Sequence, residues 1–305
     1  TIRRLFIVMN TSKVKTMIKS EPDRKRSKDL GIDLKTIKLF EKIAKAVAPP
    51  PIMTVSQWAD AERRLSAESS AEAGHWNTDR APYQREILDA VNNPECEEVV
   101  IMSSAQVGKT ELILNTIGYY IDYDPAPILV VNPTIEMAQT FSKDRLAPMI
   151  RDTPALRGKV RDAKSKNSGN TILHKQFPGG HITMPGANSP ASLASRPIRI
   201  ALMDEIDRYP ASAGTEGNPI KLAEKRTTTF WNRKKIKVST PTIKGQSQIE
   251  AEFLSGSQEE WCVPCPCCGK YQSYEWGRIH FSDVTMECKF CGEHISEVDW
   301  KQQKG

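Results

Sequence analysis

Residues 103–110, with the sequence SSAQVGKT, lie between a predicted buried strand and a predicted helix. Glu98–Met102 is a largely apolar run of strand length, and Glu111–Tyr120 has helical length and composition. The segment matches the phosphate-loop pattern G-x4-G-K-[ST], except that Ser103 replaces the first glycine. This strand–loop–helix order predicts an α/β domain that binds a phosphate at the start of the helix.

The loop carries the groups that a nucleoside triphosphate requires. Backbone N–H groups of residues 106–110 can surround a phosphate without the missing glycine. Lys109 would neutralise the β- and γ-phosphates, and Thr110 would ligate Mg²⁺. The candidate nucleotide-binding residues are Ser104, Ala105, Gln106, Val107, Gly108, Lys109 and Thr110. The competing interpretation is an ordinary strand-to-helix turn with a surface lysine.

Two carboxylates follow another predicted strand, Ile198–Met203. Asp204 and Glu205 lie at its carboxyl end, which is where parallel sheets bind ligands. A buried carboxylate pair without a cation is costly, which favours a metal-bound site. We therefore assign Asp204 to Mg²⁺ and Glu205 to the base that polarises the attacking water. The alternative is a solvated helix start.

Predicted helices and strands alternate along the middle of the chain, which is typical of an α/β domain with a mostly parallel sheet. The predicted helices are Ser56–Leu65, Arg85–Val91, Glu111–Tyr120, Thr134–Ile150 and Pro219–Trp231. The predicted strands are Glu98–Met102, Ile128–Val131, Ile198–Met203 and Ile236–Ser239, with a hairpin formed by Ile172–Phe177 and His181–Met184. The last strand runs into Ser239, Thr240, Pro241 and Thr242, a sequence that is also typical of a generic loop.

Six of the seven cysteines lie between Cys262 and Cys291. Two C-x2-C pairs within this segment, Cys265/Cys268 and Cys288/Cys291, are separated by 19 residues, which is the spacing of a four-cysteine zinc ribbon. Four thiolates leave no open position on the metal, so the predicted Zn²⁺ is structural.

Other ligand sets remain open from the sequence. Cys262 and Cys265 form a competing C-x2-C pair, and Cys267 is an extra cysteine. His280 and His294 are alternative ligands, and buried reduced cysteines without metal are a further interpretation.

The basic charge of the chain is concentrated at its start. Residues 1–50 carry 13 Lys/Arg against 5 Asp/Glu, whereas the whole chain has a net charge of +6. Apolar residues from Leu30 to Val47 recur at steps of three and four, which predicts an amphipathic helix in a basic arm. This helix packs on the body with a solvated basic face, or it belongs to an arm that docks a partner or contacts DNA. No apolar run has the length of a membrane span or precedes a secretory cleavage site.

Cations outside the arm are candidates for contacts with DNA phosphates. One cluster consists of Arg161, Lys164 and Lys166, and a second consists of Arg226, Arg233, Lys234, Lys235 and Lys237. Either cluster could instead be a solvated face.

Taken in order, these blocks resemble the large terminase subunits of tailed bacteriophages, of the lambda-like GpA type. The resemblance covers about residues 52–300. It rests on the order and spacing of Trp58-Ala59, Ala81-Pro82-Tyr83, the loop from Ser104 to Glu111, Asn132-Pro133-Thr134, Leu202-Met203-Asp204-Glu205, Ser239-Thr240-Pro241-Thr242 and Cys265-Pro266-Cys267-Cys268-Gly269.

The resemblance implies an additional-strand, RecA-like P-loop ATPase that uses ATP and Mg²⁺ to translocate double-stranded DNA into a procapsid. It implies that Tyr83 contacts adenine with help from Gln84, and that Ser239–Thr242 couple hydrolysis to movement. The implied partners are double-stranded DNA, a small terminase subunit on the basic arm, the portal protein and further copies of the chain in a ring. The implied place of action is the host cytoplasm, not the mature virion or a membrane.

The expected organisation is a basic arm over 1–50, a P-loop ATPase domain over 51–255 and a zinc ribbon over 256–305. The family's nuclease domain is absent from this chain, so we do not expect DNA cleavage. Many terminases carry an arginine in the phosphate loop, where this chain has Ala105 and Gln106. The missing charge is expected from a neighbouring subunit or from one of three arginines, Arg196, Arg199 and Arg226.

Two other functions compete with a packaging motor. A helicase-like remodelling ATPase would need a second RecA-like domain, which the sequence lacks. A non-catalytic DNA- or partner-binding module would retain the loop as a relict nucleotide site.

Overall fold

The computed structural model describes residues 53–68, 70, 72–160, 170–194 and 196–305, together with Asp33, Lys35, Thr36 and Leu39. The chain divides into two units, Thr1–Ile52 and Met53–Gly305. In the first unit, Lys35, Thr36 and Leu39 are helical, and the rest of the predicted arm helix lies outside the described residues. The candidate DNA contacts Arg161, Lys164 and Lys166 also lie outside them.

The second unit contains helices and strands that we number in chain order. Up to the large sheet's last strand they are α1 (Val55–Glu62), β1 (Arg64–Leu65), β2 (Gly74–His75), α2 (Tyr83–Ala90), β3 (Glu98–Met102), α3 (Lys109–Asp122), β4 (Ile128–Val131), α4 (Ile135–Thr140), α5 (Ala147–Asp152), β5 (His174–Phe177), β6 (Gly180–Thr183), α6 (Pro190–Ala194), β7 (Ile200–Asp204), α7 (Pro219–Lys225) and β8 (Lys234–Ser239). The remainder are α8 (Gln248–Leu254), β9 (Val263–Pro264), β10 (Tyr271–Gln272), β11 (Ile279–His280), β12 (Thr285–Glu287), β13 (His294–Ser296) and α9 (Glu297–Lys301).

Six strands form the central sheet in the order β3-β8-β7-β4-β6-β5. All neighbouring pairs are parallel except β5 with β6, which form the predicted hairpin. The α/β fold with a mostly parallel sheet is therefore confirmed. Because the chain crosses over between parallel strands, helices must cover both faces of such a sheet.

Alternating side chains of the central strands separate two apolar cores. Ile128 and Val130 of β4 pack into the core that contains α1 and α3, whereas Leu129 and Val131 pack into the core that contains α7 and α8. This two-residue period is what a strand buried on both faces requires. The sheet is thus the middle of three layers.

Helix α1 packs closely on α3 because Gly118 leaves room for an indole. A Cβ at Gly118 would overlap the ring of Trp58. The Trp58 Nε1 donates to Asp122 Oδ2 at 2.7 Å, so the buried indole keeps a hydrogen-bond partner.

Two predicted helices end earlier than the sequence pattern indicated. Helix α1 stops at Glu62, because Arg64–Leu65 pair with Gly74–His75 as a small antiparallel sheet. Helix α7 stops at Lys225 instead of Trp231: the hydroxyls of Thr227 and Thr228 donate to helix carbonyls at 2.8 and 3.0 Å. Such threonine bonds compete with helix continuation.

The predicted helix Thr134–Ile150 is continuous but contains a π-helical segment, Phe141–Leu146, between α4 and α5. π-Bulges insert one extra residue into a turn and are frequent at functional sites. Among the helices that the structure describes, none has the length and apolar character needed to cross a membrane.

Candidate nucleotide site and cysteine cluster

The carboxyl ends of β3, β8, β7 and β4 meet at one edge of the sheet. Met102 is paired with Ser239, and Met203 with Val131. The turns after these strands therefore lie side by side, although they are far apart in sequence. Four groups lie at this edge: the phosphate loop, the segment after Ser239, the Asp204–Glu205 pair and Asn132.

The phosphate loop has left-handed backbone at two positions, Gln106 with a φ of 64° and Gly108. Gly108 has a φ of 83°, in the left-handed region. A Cβ there would overlap the amide of Gln84. Helix α3 begins at the next residue, Lys109. The loop thus delivers its lysine and the N–H groups of a helix N-terminus to one place.

Helix α2 contacts the phosphate loop from outside. The Tyr83 hydroxyl and the Gln84 amide donate to the carbonyl of Val107, at 3.1 and 3.2 Å. The Tyr83 ring also lies edge-on to Trp261, with 6.3 Å between ring centroids. The two residues predicted to contact adenine are therefore placed beside the loop and hydrogen-bonded to it.

Lys109 connects three of the predicted motifs. Its side chain is buried, with 7% exposed. The Nζ donates to the Ser104 carbonyl at 2.8 Å and to the Thr240 hydroxyl, and it lies 3.9 Å from Glu205 Oε1. One ammonium group therefore contacts the phosphate loop, the segment after β8 and the second carboxylate.

Asp204 is suited to a divalent cation. Burial and the neighbouring negative charge of Glu205 raise the pKa of Asp204 to about 7. Its Oδ1 is buried without a hydrogen-bond partner. A carboxylate oxygen left without donors at this depth is costly unless a cation occupies its vicinity, and oxygen ligands are those that Mg²⁺ takes. The residues present therefore fit the predicted magnesium site.

Glu205 has a strained backbone, with φ 53° and ψ 51° in the left-handed region. Such a conformation costs about 1–3 kcal/mol in a residue with a side chain and occurs mainly where function requires it. It directs the carboxylate toward Lys109 and to 3.8 Å from Arg208 Nε. Glu205 is thereby held next to the buried Asp204 yet remains partly exposed.

A cavity of about 590 Å³ opens beside these groups. Thr110 and Asp204, the two predicted magnesium ligands, both line it. Its wall also includes Asn132 and Arg145, which the sequence analysis did not assign to the site. Asn132 could have been found as the polar residue directly after β4, but Arg145 lies in the π-helical segment, which no sequence pattern marked.

Asp207 is a further residue that the sequence analysis missed. Its carboxylate accepts the N–H and the hydroxyl of Thr242, both at 2.9 Å, and the N–H of Ile249 at 2.8 Å. Burial opposes ionisation of Asp207, but these donors outweigh it and lower its pKa. The Asp207 N–H in turn donates to the Ser239 hydroxyl at 3.2 Å. The turn that contains Glu205 and Asp207 is thus hydrogen-bonded to Ser239 at the end of β8 and to Thr242 in the segment that follows.

The four predicted zinc ligands lie together at the other end of the chain. The ligand atoms of Cys265, Cys268, Cys288 and Cys291 are all within 4.8 Å of one another. The Sγ atoms of Cys265 and Cys291 are 3.9 Å apart, and those of Cys268 and Cys288 are 3.8 Å apart. A tetrahedron with Zn–S bonds of about 2.3 Å has edges of about 3.8 Å. The geometry therefore fits Zn²⁺, and neither Cys262 nor Cys267 belongs to the cluster.

Each C-x2-C pair ends in the same tight turn. Gly269 and Gly292 have φ of 71° and 72°, and each N–H donates to the carbonyl of the first cysteine, at 2.8 and 2.9 Å. Burial opposes ionisation of Cys288, but the N–H groups of Cys291 and Phe290 outweigh it and lower its pKa to about 6. Thiolates of this kind are the form that binds metal.

Comparison with known proteins identifies the family. The model of the family described as phage terminase large subunit gpA, ATPase domain, matches residues 70–305. The chain belongs to this family. The terminase resemblance predicted from the sequence is therefore confirmed.

Two terminase relatives show how much of a large subunit is present. The large subunit of Enterobacteria phage P21 is 32% identical over 233 residues, covering 76% of this chain and 36% of that protein. That of Escherichia phage lambda is 31% identical over 230 residues, covering 75% and 36%. The matched region thus spans about a third of either relative. The crystal structure of the HK97 bacteriophage large terminase shares the fold, with a TM-score of 0.52 and 14% identity over 67% of this chain and 42% of that chain.

Two of the three arginines expected to supply charge to this candidate site lie at the opposite end of β7. Arg199 directly precedes β7 and pairs with Asp124 at 2.5 Å. The carbonyl of Arg226 accepts the N–H of Ile198, also before β7. Both arginines therefore lie at the amino end of the strand whose carboxyl end holds Asp204. Arg196 lies 3.4 Å from His174 on the edge strand β5.

The second cluster of candidate DNA contacts is occupied by internal partners. Arg233 and Lys235 both bind Glu97, at 2.8 and 2.7 Å, and these two cations lower the pKa of Glu97 to about 2. Lys234 is buried and donates to two backbone carbonyls. Lys237 is fully buried among three carboxylates. These four side chains are held by contacts within the domain, and Lys234 and Lys237 are too buried to reach DNA phosphates.

Proposed function

We propose that this chain is the ATP-hydrolysing motor of a viral terminase, which translocates double-stranded DNA into a procapsid. The observation that carries the proposal is the position of Lys109, whose ammonium contacts the phosphate loop, Thr240 and Glu205. A nucleotide bound there would touch the segments proposed for binding, hydrolysis and coupling at once.

In this proposal each motif at the carboxyl edge of the central sheet has one role. Residues 104–110 bind the phosphates, with Lys109 on the β- and γ-phosphates. Tyr83 and Gln84, which brace the loop through Val107, lie on the adenine side. Thr110 and Asp204 hold Mg²⁺, which neutralises charge on the phosphate oxygens when bound.

Glu205 is the proposed general base. A water that attacks the γ-phosphate loses a proton as its oxygen bonds to phosphorus, and the Glu205 carboxylate accepts that proton. The bond between the γ-phosphorus and the β-phosphate oxygen breaks, and ADP leaves. Positive charge opposite the transferring group comes from Arg145, which lines the cavity with Thr110 and Asp204.

Ser239–Thr242 are the proposed coupling residues. Thr240 contacts Lys109, and Thr242 is bonded to Asp207, two residues after Glu205. A change at the γ-phosphate would therefore reach this segment through two hydrogen bonds.

The remaining parts of the chain support the motor. We propose a basic arm over 1–50 that contacts the small terminase subunit, an ATPase domain over 51–255 and a ribbon over 256–305. In the ribbon, Cys265, Cys268, Cys288 and Cys291 bind one structural Zn²⁺. The other partners are the portal protein and further copies of the chain in a ring, and the reaction takes place in the host cytoplasm.

Replacing Glu205 with Gln tests the hydrolytic assignment. ATP hydrolysis by the motor assembled with DNA, small subunit and portal should fall by about 10²–10⁴-fold, the contribution of a positioned base. Binding of an ATP analogue should be retained. Glu216→Gln, a change at an exposed carboxylate, is the matched control. Hydrolysis at the wild-type rate in the Glu205 variant would show that the base is elsewhere.

Translocation is tested separately by protection of packaged DNA from nuclease. Wild-type motor should protect DNA only with hydrolysable ATP, and the Glu205→Gln motor should protect none. Hydrolysis without protection would refute the coupling to DNA while leaving the ATPase assignment intact.

A further inference from the structure

The three-stranded sheet of the ribbon has two chemically different faces. Ile279, Met286 and Ile295 point into the small apolar core that also contains Cys288. Side chains alternate along a strand, so the neighbouring residues point the opposite way. This outer face carries His280 of β11, Glu287 of β12 and His294 of β13.

The three outward side chains converge. Glu287 and His294 are directly paired across β12 and β13, and the rings of His280 and His294 lie with their centroids 4.4 Å apart. One ligand atom from each of the three residues lies within 4.8 Å of the other two. Among the described residues, this is the one such group besides the four cysteines.

The internal contacts of this group are few and long. The His280 Nε2 is buried without a hydrogen-bond partner. Thr285 lies 3.5 Å from His294 Nδ1, and Arg278 lies 3.7 Å from Glu287. The two imidazole rings are tilted by 47° to each other and gain little from their contact, and a buried ring nitrogen without a partner is costly. A shared cation would satisfy all three side chains.

We propose that His280, Glu287 and His294 bind a second divalent transition-metal ion, Zn²⁺, on the outer face of the ribbon. Two imidazoles and one carboxylate are a ligand set that Zn²⁺ takes in proteins, with a fourth position left to water or to a ligand from a partner. Imidazole nitrogen favours such ions over Mg²⁺ and Ca²⁺. The site is separate from the four thiols, because Glu287 and Cys288 point to opposite faces of the sheet.

Zinc titration of the full chain tests the site. After removal of loosely bound metal, the protein should retain one equivalent on the cysteines and then bind a second equivalent in competition with a chromophoric chelator. The double variant His280→Asn/His294→Asn should keep the first equivalent and lose the second. Glu287→Gln should weaken the second by at least about tenfold, since even a supporting partner of a ligand contributes that much.

A second histidine pair provides the matched control. His174 and His181 also have neighbouring rings, 5.5 Å apart, but no carboxylate among the described residues completes a group with them. The double variant His174→Asn/His181→Asn should therefore bind both equivalents.

Cobalt distinguishes the two kinds of ligand. Co²⁺ on the four thiols gives intense thiolate-to-metal charge-transfer absorption, whereas a second Co²⁺ on His280, Glu287 and His294 should add only weak d–d bands. The proposal is overturned if wild-type protein binds a single equivalent, if the second equivalent survives in the His280/His294 variant, or if it adds charge-transfer absorption. All three readouts are independent of ATP hydrolysis.

Discussion

Replacing Asp204 with Asn should stabilise the chain in the absence of nucleotide, even though it damages the proposed magnesium site. The side chain keeps its shape and loses its charge. Burial and the charge of Glu205 raise the pKa of Asp204 from an ordinary 3.8 to about 7. The ionised Asp204 carboxylate therefore destabilises the folded chain, and the Asn variant carries no such charge.

The size of the effect follows from proton linkage. Between pH 3.8 and about 7 the folded chain keeps the Asp204 proton while the unfolded chain loses it. Stability therefore falls as pH rises through this window, and the whole penalty is present above it. A shift of about three pKa units, at about 1.4 kcal/mol each, sets a ceiling of about 4 kcal/mol.

The assay is urea unfolding of wild-type and variant protein at several pH values between about 4 and 8, without nucleotide. The gain in unfolding free energy from Asp204→Asn should be small at the acidic end and largest near pH 8. Mg²⁺ and an ATP analogue should reduce this gain by about 2.7 kcal/mol, because ligand at about 100 times its Kd adds that much to the wild-type chain that binds it.

Asp207→Asn is the control of opposite sign. The pKa of Asp207 is lowered by the N–H groups of Ile249 and Thr242 despite the effect of burial. Its carboxylate stabilises the fold above its ordinary pKa, and this stabilisation disappears as pH falls. The Asn variant should therefore be less stable than wild type near neutral pH. An Asp204→Asn variant that is less stable than wild type near pH 8, or a gain that does not grow with pH, would refute the reasoning.

Three further substitutions test individual contacts. Lys237→Met should cost at most about 3–5 kcal/mol in urea unfolding, because it removes a fully buried ammonium from three partly buried carboxylates. Lys221→Met removes an ammonium that is 60% exposed but contacts two of the same carboxylates, and should cost less than about 1 kcal/mol; equal losses would refute the role of burial. Gly108→Ala and Gly158→Ala place a side chain at similar positive φ, and each should cost about 1–2 kcal/mol. Only Gly108→Ala should weaken binding of a fluorescent ATP analogue, because only there does a Cβ meet another side chain. Arg145→Ala should lower hydrolysis at saturating ATP by about 10³-fold or more, and an unchanged rate would assign the charge to a neighbouring subunit.

The order of strands and helices was predictable because each buried segment is short and bounded by turn residues. Glu98–Met102 and Ile128–Val131 are strands with the predicted bounds. The ends of α1 and α7 were not predictable from apolar spacing. Arg64–Leu65 form a strand only because Gly74–His75 are placed beside them by tertiary contacts.

The meeting of the predicted motifs at one edge of the sheet was predictable for a topological reason. In a parallel sheet the residues that follow the strands share one edge, so motifs after β3, β7 and β8 had to meet there. The sequence does not specify the local geometry of the loops at this edge. The contact of Thr242 with Asp207 and the exposure of Arg145 to the cavity depend on loop paths that no periodicity describes.

The charged residues from Arg233 to Lys237 show why basic patches are harder to interpret than motifs. A run of cations in a sequence has the same appearance whether its charges face solvent or pair with distant carboxylates. Here the side chain of Lys237 points into the interior of the domain, where Glu98, Glu224 and Glu252 bind it at 2.6–2.7 Å. These partners come from β3, α7 and α8, so the ion group joins two neighbouring strands of the sheet, β8 and β3, to two helices of its second face. Its low accessibility makes it a determinant of the fold, and the buried Lys237 is not available for contacts with DNA phosphates.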